Sequence, residues 1–168
     1  IAHAKSDPKI EGIYLNISYP MTGYSIIEEI RQSLLDFRKE GKWVVAYSEL
    51  MSESAYYLAS AADKIYLNPQ GEMEFNGLAI ELTFFKRLFD KLEIKPEVFR
   101  VGEFKSAVEP FLLEKMSDAN RLQLTELISS MYDHILTRIS ESRNIPKTNL
   151  KEISDKIDEL LRKEEILK

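Results

Sequence analysis

The chain has 168 residues, 44% of them apolar and 30% charged, as expected of one soluble domain large enough to bury a core. Its 28 acidic residues outnumber its 23 basic ones, for a net charge of −5, which argues against a nucleic-acid-binding face. With no cysteine, disulfides and thiolate metal sites are excluded.

In chain order, Gly12 to Ile17 reads first, as a buried strand. Past a loop with Pro20 and Gly23, apolar residues Ile26, Ile27, Ile30, Leu34 and Phe37 recur at helical spacing to about Lys39, and Gly41 suits the end of that helix. Lys42 to Tyr47 is a second strand and Ser54 to Ala62 a short helix. Lys64 to Pro69 is a third strand, which the proline is expected to close. Glu72 to Leu78 fits a short strand or an extended loop equally well. Leu82 to Leu92 is amphipathic, and Glu97 to Val101 reads as a strand. Ser117 is the expected N-cap of a long helix reaching about Arg143, with Leu124, Ile128, Met131, Ile135 and Ile139 on one face. Ile145-Pro146 breaks it, and a charged helix is expected from Leu150 to Leu161. Strands alternating with helices predict an α/β fold with mainly parallel pairing.

No apolar run approaches the ~20 residues that span a bilayer, and no signal-peptide pattern opens the chain. The chain starts at Ile1 and is read as a piece of a longer protein, whose membrane anchor is expected outside it. His3 and His134 lack ligand-like spacing, no calcium-loop or phosphate-binding glycine pattern is present, and no cofactor or metal is expected.

The chemistry-bearing stretch is Arg100 to Phe111. Lys105 stands there between Phe104 and Ser106, shortly after Gly102. A lysine in a partly dry pocket loses its proton near neutral pH and serves as a general base. Nearby carboxylates oppose this by favouring the ammonium, so Glu103 and Glu109 must be directed elsewhere or offset by desolvation.

Gly102, Phe104, Lys105-Ser106-Ala107 and Glu109-Pro110-Phe111 resemble, in order, the lysine motif of the signal peptide peptidase (SppA, protease IV) family. Tyr56 to Ile65 resembles that family's helix-to-strand segment, and the likeness covers roughly residues 5 to 145. The resemblance implies a single domain of crotonase/ClpP-like fold with repeated ββα units. It also implies a membrane-associated serine–lysine endopeptidase that degrades remnant signal peptides on the extracytoplasmic side of the inner or plasma membrane. Lys105 would be its catalytic base.

The other catalytic parts of the family are replaced. Counting from Tyr56-Tyr57, Glu53 falls where the family has its nucleophilic serine, and the flanking Ser52 and Ser54 are better read as N-caps. The family's Asn-Ser-Pro-Gly-Gly oxyanion turn corresponds to Ser18-Tyr19-Pro20-Met21-Thr22-Gly23. Phe75 falls where a serine orients the lysine amine. This pattern resembles the amino-terminal domain of the tandem-domain forms, in which a second domain supplies the serine. The implied partners are a peptide substrate, a serine-bearing domain of the same protein or a neighbouring subunit, and further copies in a homo-oligomer. A non-catalytic oligomerisation scaffold is the main rival. A crotonase-like acyl-CoA enzyme rests on fold analogy alone.

Overall fold

The computed structural model describes residues 1–98 and 106–166, with side chains described as far as Leu161. It divides into two units. The first is Ile1–Gly77 together with the chain from His134 onward, and the second is Leu78–Asp133.

The first unit opens with a short helix, α1 (Ala2–Ser6), which the sequence pattern did not suggest. Strands β1 (Gly12–Asn16), β2 (Trp43–Met51) and β3 (Lys64–Met73) form a parallel sheet in the order β1-β2-β3. Parallel neighbours need crossovers, and these are α2 (Tyr24–Arg38) and α3 (Glu53–Ala59). The chain is thus α/β with a small parallel sheet, as its alternating signals predict. Alternate residues in the first part of β2, namely Val44, Ala46 and Ser48, are buried, and beyond the irregularity at its end so is Met51. So are Ile27, Leu34 and Phe37 on α2 and Ala55, Leu58 and Ala59 on α3. Burying a side chain such as Leu34 or Phe37 contributes roughly 2–3 kcal/mol.

α2 ends as expected. Gly41 adopts φ +78°, a left-handed conformation open to glycine at little cost, and its N–H donates to the Arg38 carbonyl at 2.9 Å. Beside this turn, the Asp63 carboxylate accepts from Arg38 and from the Val44 N–H.

β3 departs from expectation, because it runs through Pro69 to Met73. Among the described residues it is an edge strand, and its pairing slips between Ser48–Leu67 and Leu50–Glu72. Pro69 lies in that irregularity, where no ladder N–H is needed. Gly71 completes the bulge: a Cβ there would lie 2.1 Å from the Glu49 carbonyl oxygen. Of the ambiguous stretch from Glu72 to Leu78, only Glu72 and Met73 are strand.

α6 (Asp118–Arg143) is the expected long helix; its part from His134 on belongs to the first unit, where Ile135, Leu136 and Ile139 are buried. Arg31, 1% exposed, reaches it from α2. Its guanidinium donates to the Arg138 carbonyl at 2.9 Å and to Ser142, and lies over the Tyr57 ring. After Asn144, which is left-handed (φ +54°), and Pro146, α7 (Lys147–Ile166) begins three residues before its expected start. It buries Leu150 and Ser154, one turn apart, and leaves Lys151, Asp155 and Leu160 exposed, as a largely solvated helix should.

The second unit contains α4 (Lys86–Lys91), a 3-10 turn at Ser106–Val108, α5 (Glu109–Leu112) and the first part of α6. α4 is shorter than the amphipathic pattern of Leu82 to Leu92 predicts. The Phe85 N–H donates to the Pro110 carbonyl at 2.7 Å, so the chain before it is held by a tertiary partner. Phe85, Phe89 and Phe111 stack with ring centroids 6.0–6.5 Å apart. Glu97 and Val98 are not in a strand, and the rest of that expected strand lies outside the described residues.

Candidate active site

In the first unit, Glu53, the residue that the sequence resemblance aligns with the family's nucleophile, opens α3. Ser52 is the N-cap: its Oγ accepts from the Ala55 N–H at 3.2 Å and donates to the Ser18 carbonyl at 2.9 Å. Both hydrogen-bonding functions of this hydroxyl are thus spent on structure, as the N-cap reading expects. Ser54 lies beside it, with Oγ 3.1 Å from Ser52 Oγ.

Glu53 is the next residue and only 6% exposed. Its carboxylate accepts the Gly77 N–H at 2.8 Å, tying the start of α3 to the segment after β3. An acidic residue in a first helical turn also meets the positive end of the helix dipole. Burial and then the Glu53 carboxylate push the Tyr24 phenol up to about 12. Glu53 therefore works as a fastening.

Phe75 is 5% exposed and meets Tyr56 edge-on, with centroids 5.7 Å apart and planes at 85°. That geometry suits aromatic quadrupoles. Its ring fills the position with packed apolar surface and offers no acceptor for an amine.

The turn between β1 and α2 is likewise tied into the structure. The Ser18 carbonyl accepts both the Ser52 N–H, at 3.2 Å, and the Ser52 hydroxyl. Met21 is fully exposed. Gly23 is the extended N-cap of α2 (φ −73°), and its carbonyl accepts from Ile26 and Ile27. These groups serve a helix start, and an oxyanion needs donors aimed at one point.

The lysine segment belongs to the second unit. Lys105 itself, with Gly102, Glu103 and Phe104, is outside the described residues. The 3-10 turn Ser106–Val108 begins at the next residue and leads directly into α5. Glu109, 2% exposed, accepts from Ser117 Oγ at 2.6 Å, from the Ser117 N–H at 3.1 Å and from Asn120 Nδ2 at 3.0 Å. Ser117 also caps α6 as expected, accepting the Asn120 N–H at 3.1 Å.

Glu109 and the buried Arg31 are the polar residues whose roles the sequence pattern does not reveal. A carboxylate eight residues before a helix cap belongs to no local periodicity. An arginine between Ile27 and Leu34 looks like an exposed helix position until Ser142 is brought to it. Among the described residues no group of His, Asp and Glu is arranged to hold a metal ion, and no helix is long and apolar enough to cross a membrane.

The model of peptidase family S49 matches residues 36–165. Protease 4 of Haemophilus influenzae is 40% identical over 152 residues, a match covering 89% of this chain and 25% of that protein. Protease 4 of Salmonella typhi is 39% identical over 151 residues, covering 89% and 24%. The chloroplastic serine protease SPPA of Arabidopsis thaliana is 32% identical over 139 residues, covering 83% and 20%. The chain spans a fifth to a quarter of the length of these relatives.

Proposed function

The chain belongs to peptidase family S49, and from that premise we propose that it is the amino-terminal, lysine-bearing domain of a tandem-domain serine endopeptidase. The fold assigned with this reading is the crotonase/ClpP-like one, over residues 1–168 as a single domain. The observation that carries it is a contrast. The motif from Gly102 to Phe111 is complete around Lys105, while the family's nucleophile position holds a buried, hydrogen-bonded Glu53.

In this reading the neutral Lys105 amine takes the proton from a serine hydroxyl on a second domain or a neighbouring subunit. The serine oxygen attacks the peptide carbonyl, and the ammonium returns its proton to the departing amine. The amine then activates the water that hydrolyses the acyl-enzyme. The substrates are remnant signal peptides, bound extended along strand edges. The assembly is a homo-oligomer at the inner or plasma membrane, with its catalytic domains on the extracytoplasmic side. Relatives named Protease 4, about four times as long as the match, support a protein with room for a second such domain.

The test is Lys105→Ala in the full-length protein. A base role lowers kcat/KM for a peptide by about a thousandfold or more. Near-normal cleavage would make this domain an oligomerisation scaffold instead.

A further inference from the structure

A lysine is an effective base only when its backbone is fixed to within a fraction of an ångström of the reacting hydroxyl, since a displacement of about 1 Å costs on the order of a hundredfold in rate. Resting on the base reading above, we infer that Glu109 is a positioning residue: its buried carboxylate fastens the turn just after Lys105 to the first turn of α6.

Three observations carry this. The first is continuity. Ser106–Val108 and α5 run without a break from the residue after Lys105 to Glu109, so the anchor is four residues after the lysine in the chain. The second is where the other anchors lead. α5 has only four residues, far below the length at which a helix persists alone, and the Phe85 N–H on the Pro110 carbonyl, the stack of Phe111 on Phe85 and Phe89 and the Arg87–Glu114 ion pair all tie it to α4 and its cap, whereas Glu109 ties it to α6.

The third is the cost and placement of the charge. A carboxylate 2% exposed must be heavily hydrogen-bonded, and among the described residues Ser117 and Asn120 give Glu109 one backbone and two side-chain donors. Ser117 already caps α6 with its own Oγ. The helix start therefore has its side-chain cap without Glu109. What Glu109 adds is a tie between two segments, one of which carries the lysine motif. The helix dipole at the start of α6 favours the negative charge there.

Peptide cleavage by the full-length protein tests this. Glu109→Ala is expected to lower kcat about a hundredfold with KM changed less than about threefold. Glu109→Gln keeps the side-chain length and an acceptor oxygen; it is expected to stay within about tenfold of the wild-type kcat with an unchanged pH profile. Asn120→Ala removes one donor and is expected to lower kcat about fivefold at unchanged KM. It replaces Glu109→Ala if that variant does not fold. Lys105→Ala, measured alongside, separates the two ideas. If Lys105→Ala still turns over at a near-normal rate, the base reading is lost. If Lys105→Ala is inactive while the folded variants at Glu109 and Asn120 keep the wild-type kcat, the base reading stands and the positioning role is overturned. A rise in KM alone in these variants overturns it equally, because that would place Glu109 in substrate binding.

Discussion

Glu53 and Glu109 are both buried carboxylates, both close to a helix start, and both accept a backbone N–H. In the first unit Glu53, which the proposed function assigns to the family's nucleophile position, joins α3 to the segment after β3. In the second unit Glu109, the first residue of α5, holds that helix to α6. In the proposed reading the same chemical group closes off one site and braces the other. What a side chain does at such a position is therefore best read from what it bonds to. Ser52, Glu53 and Phe75 are each committed to a cap, a backbone tie or an aromatic contact.

The contrast is sharpest at Phe75. Phe75→Ser restores the residue type of the family but removes a buried ring, and it is expected to destabilise the protein by about 3–4 kcal/mol in urea unfolding. A loss under about 1 kcal/mol would show that the position is still open to a polar group. Glu53→Ser is next. It leaves the Gly77 N–H without its carboxylate and should cost about 1–3 kcal/mol. This chain expressed alone with Glu53→Ser should cleave no peptide, since in the proposed reading the oxyanion turn and the orienting serine would still be missing. Measurable cleavage would break the contrast between the two regions.

The smallest effect comes from a more exposed carboxylate that offers a scale for both. Burial raises the Asp63 carboxyl, but the Val44 N–H and the Arg38 guanidinium outweigh it and leave it below the ordinary aspartate range. A group lowered in the folded state stabilises above its unfolded pKa, near 4, and that contribution is lost as pH falls through the lower folded value. Asp63→Asn should cost about 1 kcal/mol at neutral pH, reduced by solvent screening. Its stability difference from wild type should shrink below pH ~4. A difference constant down to pH ~3 would assign the effect to packing instead.

Much of the fold was legible in the sequence because it arises from short-range patterns. The apolar runs of β1 and β2, the helical spacing of α2 and the Ser117 cap of α6 all appear where their periodicity puts them. The failures have tertiary causes. Pro69 did not end β3, because an edge bulge with Gly71 against Glu49 accommodates it. α4 lost its first turn to the bond between Phe85 and Pro110. Arg31 is buried because Ser142 and the Arg138 carbonyl, over a hundred residues away, supply its partners. At the candidate site, counting along the chain singled out Glu53 and Phe75, but their bonds could be known only from the fold. The tie from Glu109 to Ser117 and Asn120 had no sequence signal at all.

The most direct measurement is the single-turnover rate at which a full-length protein is acylated by an activated peptide ester, wild type against Lys105→Ala. If Lys105 takes the serine proton, acylation slows by about a thousandfold while peptide binding is kept. Equal acylation rates in the two proteins would contradict the assignment of Lys105 as the base.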